Sequence, residues 1–419
     1  MSQTQSKETR NPVRRRSIVA LRHKDFRKLW TGQFISQSGS QMQHVAVAWQ
    51  LYLLTHSPLA LGMIGLFRVI PIILFSLFGG MVADTVDRRK LLIITQSVMM
   101  CLSLILAVVT WSDAVVPWII YGVMALAAAA TAFDNPARAA LIPNLVPPED
   151  LTNAFSLNLT SWQAATIIGP SLAGLIIAWS GVAAVYWIDA ISFLAVIIAL
   201  ISMKARPRRP EGGAIGIAAL REGLSFVFNT RIITVTMLLD FFATFFGASL
   251  TLLPIFAQEI LHVGPRSLGL LYAAPPAGAV AAGAVMSLMK GIDRQGPVLL
   301  WAVAAYGVST IIFGMSTWLP LTLIALAGTG AADLVSTVIR QTIRQLVTPD
   351  RLRGRMTSVN MIFFMGGPQL GEFEAGVVAS LLSPSLAVIT GGIGVLIATA
   401  LASLTPVVRQ FRAEGLKVH

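Results

Sequence analysis

Seven charged side chains fall inside long apolar stretches of this 419-residue chain: Arg68, Asp134, Asp189, Asp240, Asp333, Arg340 and Glu372. A charge at the centre of a bilayer costs about 2.5–3.5 kcal/mol or more, so each needs a partner or a task. At ~1.5 Å per helical residue, Asp240 and Arg68 both come near the midplane of their runs. A carboxylate in such a place can bind and release a proton near neutrality. Asp240 is therefore the first candidate for a proton carrier, with Arg68 as its expected counter-charge. A fixed ion pair that never titrates is the structural alternative. Glu372, in the outer half of its run, and Asp134, near the inner end of its own, are further coupling candidates. Asp333 and Arg340 lie seven residues apart on one helical face and read as a brace near a cytoplasmic gate.

Neutral polar groups mark a second place. Gln33, Gln37, Gln41 and His44 follow at steps of four, four and three, so all lie on one face of a helix. Amides facing lipid are costly, so this face lines water or other protein. It is either interhelical glue or the wall of a substrate cavity. Phe241, Phe242, Phe245 and Phe246 surround Asp240 in the chain; they suit an amphipathic ligand and equally a packed core. The single cysteine, Cys101, sits in an apolar run and is expected to be packing, and the five histidines have no metal-ligand spacing. No nucleophile–base pair is legible. Neither an enzyme nor a bound cofactor or metal is expected.

The elements that position these residues are membrane helices. Hydrophobic residues make up 55% of the chain and charged ones only 12%, about half the charged share of a soluble protein. Apolar runs predict helices over 29–54, 58–83, 90–111, 116–140, 151–179, 182–203, 230–258, 266–289, 296–317, 319–343, 354–381 and 384–406. Of the 31 lysines and arginines, all but Arg68 and Arg266 fall in the tails or near alternate connections. This asymmetry places both termini in the cytoplasm and fixes an even number of spans. It also accounts for the net charge of +12 without a nucleic-acid partner.

Residues 204–229 form the longest internal connection, with Arg206-Pro207-Arg208-Arg209-Pro210 followed by Gly212-Gly213. A short interfacial helix is expected from Ile217 onward. The linker divides a cytoplasmic tail (1–28) and first half (29–203) from a second half (230–406) and tail (407–419). The halves repeat in order. Pro58, Leu61 and Gly62 recur as Pro265, Leu268 and Gly269, Asp87-Arg88 as Asp293-Arg294, and Gly169-Pro170-x-Leu172 as Gly367-Pro368-x-Leu370. Both copies enter from the same side, so these are parallel repeats.

The loop Gly79-Gly80-Met81-Val82-Ala83-Asp84-Thr85-Val86-Asp87-Arg88-Arg89-Lys90 resembles motif A of the major facilitator superfamily. Gly80, Ala83, Asp84, Arg88 and Arg89 match the motif, while Asp87 stands where that family usually has glycine. The resemblance implies that Asp84 docks on the start of the eleventh helix and latches the cytoplasmic side, with Arg353 or Arg355 as its partner. Gly169-Pro170-x-Leu172-x-Gly174 resembles motif C, which in the family accompanies exporters that exchange substrate for protons. The fourth helix lacks the family's motif B arginine, so coupling through that residue is not expected. Pro136-Ala137-Arg138 and the stretch from Gln345 to Gly376 are similar to the bacterial branch of siderophore exporters and related drug exporters.

The resemblance implies an all-α integral membrane protein with about twelve helices in two six-helix halves around a central cavity. It implies a secondary transporter of the bacterial inner membrane, a monomer partnered by protons, lipid and an amphipathic small molecule such as a siderophore or drug. Export by alternating access is the expected mode. A nutrient importer on the same fold and a non-transporting polytopic sensor are the alternatives.

Overall fold

The computed structural model describes residues 18–204, 217–289, 291–349 and 352–412. Gly80, Asp84, Arg353 and Arg355 lie outside the residues whose side-chain surroundings are described, and the expected Asp84 latch lies there with them. The described chain is helical throughout. Its helices are α1 (Lys24–Thr55), α2 (Pro58–Thr85), α3 (Arg88–Trp111), α4 (Pro117–Leu141), α5 (Leu151–Ser202), α6 (Ile217–Asn229), α7 (Arg231–Phe246), α8 (Leu253–Ile255), α9 (Pro265–Leu288), α10 (Gln295–Met315), α11 (Leu319–Val347), α12 (Arg353–Leu381), α13 (Pro384–Ser403) and α14 (Pro406–Arg409).

Local chemistry sets many of these ends. Pro58 and Pro384 open α2 and α13, where a missing N–H costs nothing, and the Ser57 and Ser383 hydroxyls cap the Ala60 and Leu386 amides. Asp87 caps α3 by accepting from the amides of Arg89 at 2.9 Å and Lys90 at 3.3 Å. That is what an aspartate at this position does for the turn. The helix running from Val19 to Arg22 and the early start of α1 shorten the expected tail: helix begins at Lys24, not at 29. His23 ties this start to the α4–α5 connection through Asp150 at 2.8 Å.

Nine apolar stretches among the described residues are long enough to cross a membrane. One of them is double. α5 breaks at Gly181, whose φ of +78° only glycine adopts without strain. Before the break, α5 rises beside α1: the Trp30 indole donates to the Leu157 carbonyl at 3.0 Å, and Gly169 lies against Ser38 and Gln41. After it, α5 returns: Asp189 meets Ser40, and Gly32 lies against Ala195 and Val196. The two lengths are therefore antiparallel. The predicted helix over 230–258 is corrected: α7 stops at Gly247, and the chain continues as a 3-10 turn, α8 and a π turn at Phe256–Ile260. Cys101 is exposed rather than packed.

α1 and α3 run in parallel and bond in a ladder of seven-residue steps. Ser36 donates to Gln96, Gln43 to Ser103 and Gln50 to Thr110, each pair 60 residues apart. Seven residues are close to two helical turns, so each step returns to the same face of both helices.

The apolar core has three parts. At the face where both ends of the described chain lie, one cluster is built from residues before 204 (Phe26, Leu29, Leu92, Leu141, Leu200) and a separate one from residues after 217 (Ile233, Leu299, Ile343, Val359, Val408). At the far face a single cluster joins Leu51, Tyr52, Leu61 and Ile177 of the first half to Leu253, Phe256, Leu268 and Ala375 of the second.

Candidate functional site

In the second half, α7 and α11 bring Asp240 and Arg340 into an ion pair, and Arg340 also reaches Asp333 at 3.8 Å. This corrects the expected pairing of Asp240 with Arg68. It also merges two groups that the sequence kept apart, because the seven-residue spacing of Asp333 and Arg340 turns both toward α7. Arg340 is 2% exposed and Asp240 4%, so their charges depend on each other. The Asp333 side chain is 50% exposed. A carboxylate on a membrane helix faces water rather than lipid, so the cluster has a wet edge. Arg340 donates to the Thr337 hydroxyl at 2.8 Å, and Arg344 to the Asn360 amide oxygen at 2.7 Å. Phe241 stacks on Phe245 and meets Phe363 edge-on, an aromatic surface next to the charges.

Arg68 belongs to a different group, built across the halves. Gly65, one turn earlier on α2, has no side chain and lets α12 approach: a Cβ there would stand 2.8 Å from the Glu372 Cβ. Arg68 then lies within electrostatic reach of Glu372 on α12 and His44 on α1. Tyr272 of α9 is in reach of Glu372 as well. Four helices, α1, α2, α9 and α12, thus contribute to one electrostatic neighbourhood, with no direct ion pair between Arg68 and Glu372 among the described residues. Sequence spacing could not find it, because Arg68 and Glu372 are 304 residues apart.

On the polar face of α1, Gln33 Nε2 and Gln37 Oε1 are buried without a hydrogen-bond partner. Gln41 packs on Gly169 of α5. Buried amide atoms are nearly always partnered, so the two open positions mark places where water or a ligand completes the bonding. The alternate face, Ser36, Gln43 and Gln50, is the glue.

Asp134 is fully partnered. It accepts from Arg138 at 3.0 Å and from Thr95 and Gln96, both at 2.8 Å. Asp189 is the residue the sequence underused. It is 0% exposed and accepts from the Ser103 and Ser40 hydroxyls, with no cationic partner among the described residues. An acid in the middle of 182–203 was its only signal.

At the face holding the chain ends, Arg88 donates to the Ala140 carbonyl at 3.0 Å and Arg89 to the Ile201 carbonyl at 2.6 Å. Cations there meet the negative ends of α4 and α5. Arg88 and Arg89, two of the arginines expected at the cytoplasmic gate, thus tie the start of α3 to the ends of α4 and α5 in this conformation.

At the far face α5 and α9, and likewise α2 and α12, touch backbone to backbone. Gly174 of α5 meets Gly269 of α9, and Gly62 of α2 meets Gly376 of α12. The Pro170 carbonyl faces Gly269, so Pro170 and Gly174 of the motif C stretch sit on this seam, while Gly169 packs on α1. Tyr52 donates to Glu259 at 2.8 Å and Thr251 to the Leu61 carbonyl at 3.3 Å across the same seam.

Known proteins share this sequence pattern and this architecture. The transmembrane secretion effector family matches residues 16–417. The enterobactin exporter of Citrobacter koseri is 25% identical over 398 residues, covering 93% of this chain and 94% of its own. That of Escherichia coli O1:K1 is 24% identical over 397 residues, with the same coverage. Among solved structures, a bacterial homologue of the lysosomal transporter Spinster, inward-facing and unoccupied, superposes with a TM-score of 0.72 at 14% identity, over 91% of this chain and 96% of that one. A bacterial homologue of the iron transporter ferroportin in its inward-facing state gives 0.67 at 16% identity, over 91% and 97%. With nearly its whole length matched and its helices arranged alike, the chain belongs to the transmembrane secretion effector family of the major facilitator superfamily, a family of transporters.

Proposed function

We propose that this transporter is an exporter of the bacterial inner membrane, moving an amphipathic small molecule such as a siderophore or drug outward in exchange for protons. On this reading α1–α4, the two lengths of α5, α7 with its broken continuation, and α9–α13 make twelve spans. The halves 29–203 and 230–406, joined by 204–229, rock about a central site, and both termini are cytoplasmic. Asp240, with Arg340 and Asp333, is the coupling group, and Arg68 with Glu372 ties the halves together. Gln33, Gln37, Gln41 and His44 face the substrate. Gly80 and Asp84 meet Arg353 or Arg355 when the cytoplasmic side closes.

One observation carries alternating access: a single shared core at the far face and two separate cores at the face with the chain ends. Such a molecule is shut at one end and divided at the other. The exporter relatives and the glycine–proline seam support the outward direction.

The test uses everted membrane vesicles energised by respiration. Siderophores, dyes and drugs are added while the acid interior is followed, for wild type and Asp240→Asn. Substrate-triggered proton release in the wild type alone supports the proposal and names the substrate class. Release in both retains antiport and removes Asp240 as carrier. Uptake of an external nutrient with proton symport overturns export.

A further inference from the structure

The arginines at the end of the chain have no role in the transport reading. Arg294, Pro297, Arg409, Gln410, Phe411 and Arg412 enclose a cavity of about 200 Å³ where α14 crosses the start of α10. Beside it, a groove of about 390 Å³ between α7 and α13 runs past Leu238, Phe242, Ile397 and Leu401 and ends at Thr405, the residue that caps α14. We propose that these two spaces form one binding site for an anionic phospholipid, with the phosphate headgroup among Arg294, Arg409 and Arg412 and an acyl chain in the α7–α13 groove.

The first argument is charge. No ion pair joins Arg294, Arg409 or Arg412 to a carboxylate among the described residues, including the adjacent Asp293. Basic residues scattered over cytoplasmic loops need no explanation beyond topology. Here guanidinium groups from two distant chain segments are gathered around one cavity, where like charges repel unless an anion enters. Guanidinium forks match phosphate oxygens in geometry.

The second argument is preorganisation. The Gly296 amide donates to the Phe411 carbonyl at 3.2 Å. A Cβ on Gly296 would run into the Val408 carbonyl and come within 3.3 Å of the Phe411 Cβ. The closing segment is therefore seated on α10, and Val408 is 0% exposed. The backbone that carries the arginines on either side is fixed before any ligand arrives.

The third argument selects lipid over free phosphate. The groove presents Phe242, Ile397 and Leu401, all at least 40% exposed, and its edge is one short helix away from the cationic cavity. A basic pocket at the membrane surface joined to an apolar groove has the chemistry of a phospholipid site. The inference requires the membrane placement alone and does not depend on what is transported.

The test uses the full chain purified in mild detergent. Binding of phosphatidylglycerol, phosphatidylcholine and inorganic phosphate is titrated by native mass spectrometry. Each arginine near an anionic headgroup contributes roughly fivefold in affinity, so replacing three costs roughly a hundredfold. Phosphatidylglycerol is expected to bind well above phosphatidylcholine. Arg294→Gln/Arg409→Gln/Arg412→Gln should bring the two lipids level while leaving the lipid-free unfolding midpoint unchanged. If the triple variant misfolds, Arg412→Gln alone should still lose roughly fivefold. Ala398→Phe, which fills the groove, should weaken phosphatidylglycerol and leave phosphate unaffected. Equal binding of the two lipids by wild type, or full phosphatidylglycerol affinity in the arginine variants, overturns the site. Inorganic phosphate binding as tightly as the lipid overturns the acyl-chain half.

Discussion

Gly174 of α5 and Gly269 of α9 stand so close that a Cβ on the first would lie 3.0 Å from the Cα of the second. Gly62 and Gly376 repeat the arrangement between α2 and α12. The repeated Pro-x-x-Leu-Gly sequence, at 58–62 and 265–269, thus supplies one glycine to each seam. Small residues let membrane helices approach until their backbones touch.

Adding bulk to a seam should open the far face. Gly174→Val or Gly269→Val overpacks the contact by about 1–3 kcal/mol, a shift of roughly five- to a hundredfold toward the far-open state. In a Cys101→Ser background, Thr251→Cys, at a buried site on the far face, should become more reactive to a membrane-impermeant thiol reagent in either variant. Unchanged labelling would mean that this seam does not set the conformation.

The Asp240–Arg340 pair should behave as one unit. Arg340→Ala leaves Asp240 buried without its cation and should destabilise the fold by about 3–5 kcal/mol. Asp240→Asn/Arg340→Gln should be closer to wild type than the sum of its single variants. Thermal unfolding in detergent measures the cycle, and strict additivity would contradict the pairing.

Tyr52→Phe removes the hydroxyl that reaches Glu259 across the halves. Such a bond to an ionised group is worth about 1.5–3 kcal/mol, so the far face should open more often. Spin-label distances between the far ends of α1 and α9 should lengthen in part of the population. The variant should still fold, because Tyr52 keeps its ring packing against Trp49 and His56.

Asp189 gives a prediction about stability. Asp189→Leu strands the Ser103 hydroxyl, to which Gln43 donates, and should cost about 1–3 kcal/mol or more. Asp189→Asn keeps an acceptor there and should cost less. Equal losses from the two would place the effect in volume rather than in hydrogen bonding.

The sequence by itself determined what can be read locally or from composition. Apolar run lengths give the membrane class because a bilayer has a fixed thickness. Basic residues on alternate connections give the sidedness expected of the chain. The spacing of Gln33, Gln37 and Gln41 gives a shared face because a helix has a fixed period. The stretch 79–90 and Gly169-Pro170-x-Leu172-x-Gly174 carry the family resemblance, since glycine, proline and capping residues act on their own neighbourhood.

Only the tertiary structure decided which buried charges meet. Arg68 stands alone in an apolar run and Arg340 has Arg344 one turn on, but neither spacing names a partner. Depth along a helix said how far in each lies but not which way it turns or which helix stands opposite. That depends on how twelve proposed spans pack, a relation between residues hundreds of positions apart. It paired Arg340 with Asp240, set Arg68 within electrostatic reach of Glu372, left Asp189 with serines, and broke α7 at Gly247, where the chain turns in against Leu61. The two glycine seams arose the same way: each glycine was legible, but its partner lay in the other half.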